Sequence, residues 1–290
     1  MEQKYILNKI DSFNPKHIFE CGQCFRWNVQ KNGSYTGVFR NNVINVKQEN
    51  DTIIFSGVCD GNIEEICKEY FDLETDYSEI KSKLASIDDN LKQGICYGEG
   101  IRILKQDLWE TIISFIISAN NNIPRIKKII ERISEKYGNK LELEGDIYYS
   151  FPTVEQLSKA TVQDLRELGL GFRDKRVYET TRLVLNKQID LEYLESITDS
   201  NCLREELNKL PGVGDKVADC IMLFAMKRFE VFPIDVWVRR VMNDLYIKSD
   251  DESKVNKKDI RNLAESKYGN LAGIAQQYLF YWKREEDKTA

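Results

Sequence analysis

A lysine and an aspartate in the second half of the chain are the residues whose types and surroundings best suit chemistry. Lys216 falls in the first turn of an expected helix, after Gly212 and Gly214, where a cation is unfavourable. Asp235 is the one carboxylate in the apolar run Val231–Trp237. The ordinary alternatives are a lysine that extends to solvent and an aspartate that caps a helix. Together the two residues suggest an amine nucleophile and a carboxylate in one cleft.

The segment Leu210–Cys220 places glycines at alternate positions between two expected helices. Gly212 and Gly214 permit positive φ and leave backbone N–H groups uncovered. Those groups, with the positive end of the next helix, can hold a phosphate without a lysine. The pattern is typical of a helix–hairpin–helix that binds a DNA backbone. An ordinary helix connection with a glycine C-cap has the same residues and stays an alternative.

Histidine-based chemistry is disfavoured because the chain contains one histidine, His17, in a polar stretch without a motif. Serine and cysteine hydrolases with a histidine base, and histidine-rich zinc enzymes, are therefore set aside. Seven scattered cysteines indicate a reducing compartment rather than a disulfide framework. Cys21 and Cys24 have CxxC spacing without a second pair, so zinc or redox chemistry is a minor alternative. No cysteine follows Cys220, and we expect no metal and no cofactor.

The net charge of −5 argues at first against a nucleic-acid partner. The first hundred residues, however, contain 16 acidic and 11 basic residues, which accounts for the whole excess. Residues 120–140 contain six basic residues and two acidic ones. The acidity therefore does not exclude a DNA-facing surface elsewhere. We find no apolar run long enough for a membrane span and no signal peptide, so we expect a cytoplasmic protein of the prokaryotic cytosol or nucleoid, without a membrane partner.

The elements that must position these residues fall into two classes. Residues 19–58 alternate apolar and polar side chains around the turn Asn32-Gly33, which predicts a small antiparallel sheet. From residue 61 onward the periodicity is helical. Thr153 with Gln156 and Thr161 with Asp164 predict two capped helix starts. We therefore expect an α+β fold: an N-terminal antiparallel β-sheet domain with flanking helices at 1–99, followed by a mainly α-helical body at 100–290. In that body we place a helix–hairpin–helix at about 203–227 and a C-terminal helix at about 271–283.

Several segments, in the same order along the chain, resemble the 8-oxoguanine DNA glycosylase/AP lyases of the helix–hairpin–helix DNA glycosylase superfamily. The first is Leu210–Cys220 followed by Pro233-Ile234-Asp235, with the lysine that marks bifunctional members. The others are Gly22–Trp27, Ser118–Arg125, Leu168–Arg173 and Ala275–Phe280. The resemblance extends from about residue 19 to 282. It implies excision of 8-oxoguanine from duplex DNA, followed by strand nicking through β-elimination.

The resemblance implies a role for each matching residue. Lys216 would be the nucleophile and Asp235 the catalytic carboxylate. The Gly22 carbonyl would accept the N7 proton that 8-oxoguanine has and guanine lacks, and Gln276 would bond the Watson–Crick edge of the flipped base. Phe280 and Cys220 would cover its two faces. The remaining base-pocket residues are Phe224 and Pro233, and the DNA-binding residues are Asn120, Arg125, Phe172, Arg173, Gly212, Gly214 and Trp237.

Asn120 would fill the gap that the extruded base leaves, and Arg125 and Arg173 would read the estranged cytosine. Two residues depart from the family pattern: Phe172 replaces a common tyrosine, and Trp237 replaces a histidine that often contacts phosphate. These departures affect recognition of the opposite base rather than the lesion pocket. We expect a monomer whose partner is double-stranded DNA containing 8-oxoguanine.

The mechanism requires a neutral Lys216 amine. A free lysine, with a pKa of about 10.4, is neutral in about one molecule in a thousand at pH 7.4. Burial lowers a lysine pKa by up to about 3–5 units, so we expect burial to outweigh the opposing charge of Asp235. The alternatives are a bifunctional glycosylase for another damaged base, a non-catalytic helix–hairpin–helix DNA-binding protein, or a Schiff-base lyase for a small carbonyl substrate.

Overall fold

The N-terminal part of the molecule is an antiparallel sheet. A computed structural model describes residues 2–251 and 254–289. Residue 1 of the first predicted domain and residue 290 of the second therefore lie outside the described residues. Within those ranges the sheet has five strands in the spatial order β1-β5-β4-β3-β2. They are β1 Glu2–Asn8, β2 Trp27–Val29, β3 Tyr35–Phe39, β4 Asn42–Glu49 and β5 Thr52–Val58. The predicted α+β class is confirmed.

The edges of this sheet differ from the prediction. Residues 15–20 form a helix, α1 (Pro15–Glu20), where a strand was expected from residue 19. The side chain of Asn14 accepts hydrogen bonds from two backbone N–H groups of that helix, and Pro15 occupies its first turn. Strand β1 was not predicted because its side chains are only partly buried or exposed along its whole length.

The rest of the described chain is mostly helical. The helices that flank the sheet and pack on it or on the body are α2 Ile63–Tyr70, α3 Tyr77–Ala85 and α4 Asp89–Tyr97. The helical body contains α5 Leu108–Ser118, α6 Ile123–Tyr137, α7 Val154–Leu157, α8 Val162–Glu167, α9 Asp174–Leu185, α10 Leu191–Ser196, α11 Ser200–Leu207, α12 Asp215–Met226, α13 Val236–Met242, α14 Lys257–Tyr268 and α15 Ala272–Thr289. Both predicted capping boxes, at Thr153 and Thr161, are present.

A second hairpin interrupts the helical body and was not predicted. Strands β6 (Lys140–Leu143) and β7 (Asp146–Tyr149) pair in antiparallel fashion. Leu143 packs against Val38 and Val43 on the face of the sheet that α1 and α2 leave open. The hairpin therefore covers the outer face of the sheet and buries β3 on both sides.

Two hydrophobic cores underlie the two parts. The sheet core is built from aromatic residues such as Phe19, Trp27 and Phe55, with the rings of Phe19 and Trp27 stacked 4.0 Å apart. The helical core includes Leu84 and Ile95, although both precede residue 100. Helices α3 and α4 thus pack with the body, and the boundary at residues 99 and 100 stays a prediction. Within the described residues, no helix is long and apolar enough to cross a membrane.

Candidate active site

The hairpin between α11 and α12 lies where the glycine pattern predicts it. Gly212 has a φ of +88°, in the left-handed region that favours glycine. Gly214 is the N-cap residue of α12 and, as a glycine, has no side chain that could accept a hydrogen bond from the first turn of that helix. A Cβ on Gly214 would meet no atom within 4 Å. The hairpin therefore presents backbone N–H groups and open space at the positive end of α12, as a phosphate requires.

A buried ion pair fixes α11 against α12. Arg204 Nε donates to Asp219 Oδ1 at 2.7 Å, and Arg261 Nη2 lies 3.7 Å from the other carboxylate oxygen. Burial raises the pKa of Asp219 to about 6 despite the two arginines. Because Asp219 lies one turn after Lys216, this pair holds the part of α12 from which Lys216 projects.

Lys216 lies on the aromatic side of α12, as the i, i+4, i+8 spacing predicts. Its Nζ is 5.4 Å from the centroid of the Phe115 ring on α5. Phe115 stacks on Phe224 with 5.5 Å between ring centroids, and Cys220 lies one turn after Lys216 on α12. The amine is therefore held over an apolar floor next to the buried Cys220 thiol.

The protonation of Lys216 differs from the expectation. Burial lowers the pKa of Lys216, but the interactions with Cys220 and Asp235 together raise it by more, so the pKa lies above its ordinary value. Burial raises the pKa of Cys220 to about 11, which keeps Cys220 a neutral thiol at physiological pH. The expectation that burial dominates is thus wrong for the free protein, and at neutral pH the carboxylate that acts on Lys216 is Asp235.

Asp235 is both the N-cap of α13 and part of the same cleft as Lys216. Its Oδ1 accepts a hydrogen bond from the Val238 N–H at 2.7 Å. Pro233, two residues earlier, is buried. A cleft of about 500 Å³ is lined on one side by Lys216, Val217, Asp235, Val236, Trp237 and Arg240, and on the other by residues 118–121. Asp235 therefore caps α13 and also lines the cleft that contains Lys216, so its role as a cap does not conflict with the predicted catalytic role.

The opposite wall of the cleft is a turn that exposes Asn120. Asn120 follows α5 with a φ of 51°, a left-handed conformation that asparagine tolerates better than most residues. Arg173 holds this turn through two hydrogen bonds. Its Nε donates to the Ala119 carbonyl at 2.8 Å, and its Nη2 donates to the Asn120 carbonyl at 2.6 Å. Arg173 is only 2% exposed. In the free protein it positions Asn120, and a direct contact with an opposite base would require these bonds to break.

A basic and aromatic rim borders this wall. Phe172 is 56% exposed in a short turn between α8 and α9. The guanidinium carbons of Arg173 and Arg176 lie 4.2 Å and 5.3 Å from its ring centroid. Arg125 is exposed and donates to the Gly169 carbonyl at 3.2 Å. Burial, together with the charges of Arg125 and Arg176, lowers the pKa of Arg173, as expected for clustered cations.

Trp237 offers a hydrogen-bond donor to the cleft. The indole ring lies 5.6 Å from the guanidinium carbon of Arg240. Its Nε1 is buried and has no hydrogen-bond partner in the part of the chain that the structure describes. A tryptophan can donate there but cannot accept. Trp237 therefore lines the cleft with one unused hydrogen-bond donor.

The residues assigned to base recognition meet where the loop after α1 approaches α15. Gly22 has a φ of +89°, and a Cβ there would lie 3.4 Å from Cε1 of Phe280. Gln276, one turn before Phe280, is 5% exposed, and its Oε1 has no partner among the described residues. The rings of Phe25 and Phe115 are 5.5 Å apart and connect this region to the floor beneath Lys216.

Sequence reasoning missed the residue that holds the Gly22 loop. Gln23 is fully buried: its Nε2 donates to the carbonyls of Ile18 and Arg102 at 2.9 and 2.8 Å, and its Oε1 accepts from the Leu104 N–H at 2.9 Å. The signal was present, because Gln23 stands inside the motif Gly22–Trp27. The neighbouring Cys21 and Cys24 are buried thiols.

The comparisons with known proteins agree with this geometry. Residues 5–112 match the model of the 8-oxoguanine DNA glycosylase N-terminal domain, and residues 113–267 match that of the HhH-GPD superfamily of base excision DNA repair proteins. The N-glycosylase/DNA lyase of Saccharomyces cerevisiae is 33% identical over 88% of this chain and 72% of its own length.

A solved structure agrees over almost the whole chain. The 8-oxoguanine glycosylase/lyase of Clostridium acetobutylicum, in complex with double-stranded DNA containing cytosine opposite 8-oxoguanine, has a TM-score of 0.92 and 45% identity. The match covers 99% of this chain and 98% of the other. The protein therefore belongs to the HhH-GPD superfamily of base excision DNA repair proteins, with the N-terminal domain of the 8-oxoguanine DNA glycosylases.

Proposed function

We propose that this protein excises 8-oxoguanine from double-stranded DNA and nicks the resulting abasic site, as a bifunctional DNA N-glycosylase/AP lyase. The observation that carries the proposal is the cleft in which Lys216 and Asp235 face residues 118–121. The helix–hairpin–helix contributes Lys216 to this cleft. The rim around Phe172 adjoins the cleft through Arg173, which binds the carbonyls of Ala119 and Asn120. These features together supply an amine, a carboxylate and a DNA-binding surface.

The proposed reaction begins with flipping of the damaged nucleotide, which costs a few kcal/mol. The neutral amine of Lys216 attacks C1′ of the sugar, the N-glycosidic bond breaks, and the base leaves with a proton. The C1′–O4′ bond then breaks, O4′ takes up a proton, and the lysine nitrogen and C1′ form a Schiff base. Loss of a proton from C2′ expels the 3′ phosphate, and hydrolysis frees the lysine. Asp235 stabilises the positive charge that develops on the sugar.

Because of its pKa, the Lys216 amine is expected to lose its proton only when DNA is bound. In the free protein the amine is protonated at neutral pH, because its pKa lies above the ordinary value. Bound DNA excludes water from the cleft, which increases the cost of keeping a charge there. We therefore propose that base flipping and loss of the Lys216 proton are coupled.

Recognition of the base is proposed to involve the Gly22 carbonyl, Gln276 and Phe280. The support is the approach of Gly22 to Phe280 and the unpartnered Oε1 of Gln276. A flipped purine would provide donors for that amide oxygen, and burial of an unpaired oxygen costs about 1–3 kcal/mol. Asn120 and Phe172 are proposed to fill the vacated stack, and Arg125 to contact the estranged cytosine.

Borohydride trapping tests the proposed nucleophile. Incubation with duplex DNA that contains 8-oxoguanine opposite cytosine, with borohydride present, is expected to give a covalent complex. Lys216→Gln is expected to abolish this complex and retain DNA binding, because the amide cannot form a Schiff base. Lys83→Gln, at an exposed lysine of α3 paired with Glu79, is the matched control and should trap like the wild type.

The same assay separates the alternatives. Trapping that persists in Lys216→Gln would refute the assignment of Lys216. A panel of duplexes with other oxidised or alkylated bases would reveal a different base substrate. Binding without excision of any base would favour a non-catalytic DNA-binding protein, and trapping on a small carbonyl without DNA would favour a Schiff-base lyase. The monomeric state and the cytoplasmic location stay predictions.

A further inference from the structure

Arg284 lies one helical turn after Phe280 on α15 and contacts both sides of the region assigned to base recognition. Its guanidinium carbon is 5.2 Å from the centroid of the Phe280 ring and 5.7 Å from that of Tyr281. Its Nη1 lies 3.2 Å from the position that a Cβ on Gly22 would occupy. One side chain thus touches the stacking ring and the loop that presents the Gly22 carbonyl.

Hydrogen bonds hold this guanidinium in place. Nη2 donates to the main-chain carbonyl of Glu20, the last residue of α1. Nε and Nη2 also donate to Glu285 Oε1, at 3.2 and 3.1 Å. The carboxylate of Glu285 therefore orients the planar group, and the planar group ties α15 to the carbonyl two residues before Gly22. A lysine could not make these bonds together, since it lacks the rigid fork of an arginine.

One donor of Arg284 is unused. Nη1 is buried and has no hydrogen-bond partner in residues 2–251 and 254–289. Buried donors without partners are rare in proteins, and such a group next to a binding site indicates a ligand atom that completes it. Nη1 lies beside Gly22, whose carbonyl accepts the N7 proton under the proposed function. A donor in that position suits an acceptor oxygen of the flipped base.

We propose that Arg284 is a further positioning residue of the base pocket. It holds the Gly22 loop at a fixed distance from Phe280, and its Nη1 donates to an exocyclic oxygen of an oxidised purine. This inference rests on the proposed function. It predicts that Arg284 acts on base excision and leaves cleavage of a preformed abasic site unaffected, because an abasic site places no base against Gly22 and Phe280.

Two substrates and one substitution test the inference. Arg284→Met keeps the apolar stem and removes the guanidinium. Under single-turnover conditions we expect excision of 8-oxoguanine opposite cytosine to slow by about tenfold or more, because small displacements of a recognition group are costly. Cleavage of the same duplex with a preformed abasic site should stay within about twofold of the wild type. Lys283→Met, at the adjacent surface lysine paired with Glu286, is the matched control and should leave both rates unchanged.

Arg284→Lys keeps the charge and loses the fork, so its excision rate should fall between those of the wild type and Arg284→Met. If Arg284→Met does not fold, as judged by its thermal melting, Arg284→Lys takes its place in the two-substrate comparison. Unchanged excision, or equal loss on both substrates, would overturn the role of Arg284. A wild-type protein that cleaves abasic DNA but excises no 8-oxoguanine would instead refute the proposed substrate.

Discussion

The charge of Asp235 is expected to affect the reaction of Lys216 in two opposite ways. Its charge raises the pKa of the amine and so lowers the fraction that can attack. Under the proposed mechanism the same charge stabilises the cation that develops on the sugar in the transition state. It also caps α13 through the Val238 N–H. Asparagine caps a helix about as well as aspartate but has no charge. The substitution Asp235→Asn therefore separates the effect of the helix cap from the effects of the charge.

Asp235→Asn is expected to change the pH dependence of excision in a defined direction. The wild-type single-turnover rate should rise with pH as Lys216 loses its proton. Without the carboxylate the pKa of Lys216 falls, so the inflection of the profile should move to lower pH. The plateau should fall by about 100-fold because transition-state stabilisation is lost. The measurement is a pH–rate profile with excess enzyme.

The control for this profile is Asp244→Asn, at an exposed carboxylate that follows α13. It should keep the wild-type inflection and plateau. An unchanged inflection in Asp235→Asn would mean that Asp235 does not act on the titrating amine.

At the scale of elements, the hairpin between α11 and α12 contains two glycines, and different structural features account for glycine at each position. Gly212 needs a positive φ, and a Cβ there would lie 2.6 Å from Cδ of Arg176. Gly214 has φ −115° and ψ 179°, which any residue adopts, and a Cβ there would meet nothing. The folded structure therefore requires the first glycine. For the second glycine we propose that a bound phosphate needs the space that a side chain would fill.

Gly212→Ala and Gly214→Ala are accordingly expected to differ. Gly212→Ala should reduce the free energy of unfolding by more than about 1 kcal/mol, because of its backbone conformation. Gly214→Ala should reduce it by less, by about 0.5 kcal/mol, because alanine is a poorer N-cap residue than glycine. Gly214→Ala should nevertheless weaken DNA binding by about tenfold, the equivalent of one hydrogen bond to a charged group. Denaturant unfolding and fluorescence anisotropy measure the two effects, and wild-type affinity in Gly214→Ala would exclude the phosphate site.

Locally encoded elements could be predicted from the sequence, and those that depend on distant partners could not. The capping boxes at Thr153 and Thr161 and the glycine hairpin are defined by residues within one or two turns of each other. Strand β1 and the hairpin β6–β7 gain their stability from the sheet that they cover, so their own sequences are weak signals. Arg173 was assigned by resemblance to a DNA surface. Its burial beneath Asn120 depends on a turn more than 50 residues away.

At the scale of the whole molecule, the net negative charge opposes DNA binding, and a cluster of arginines near Phe172 favours it. The chain has a net charge of −5, yet Arg125, Arg173 and Arg176 cluster around the exposed Phe172. Phosphate binding releases counterions, so each phosphate contact contributes about −0.9 to the slope of log K against log salt. A small number of contacts should therefore dominate the salt dependence of this protein.

Arg176→Gln is expected to make the slope of log K against log salt less steep by about one. Arg176 lies between Phe172 and the hairpin glycine Gly212, where a DNA strand that contacts both would bring a phosphate. Lys47→Gln, on β4 of the acidic sheet domain, is the control and should leave the slope unchanged. Binding titrations across a series of salt concentrations measure both, and an unchanged slope in Arg176→Gln would place that cation outside the phosphate path.

The bond between Arg284 and the Glu20 carbonyl joins residues 264 positions apart. Closing so long a loop costs more chain entropy than forming neighbouring helices such as α12 and α13, and contacts of this kind form late in folding. Lys216 and Asp235 can therefore come together before Gly22 and Phe280 do. Lys216 and Asp235 are 19 positions apart in the chain, whereas Gly22 and Phe280 are 258 apart. The region assigned to base recognition is therefore the part of the site that depends on joining the two ends of the chain.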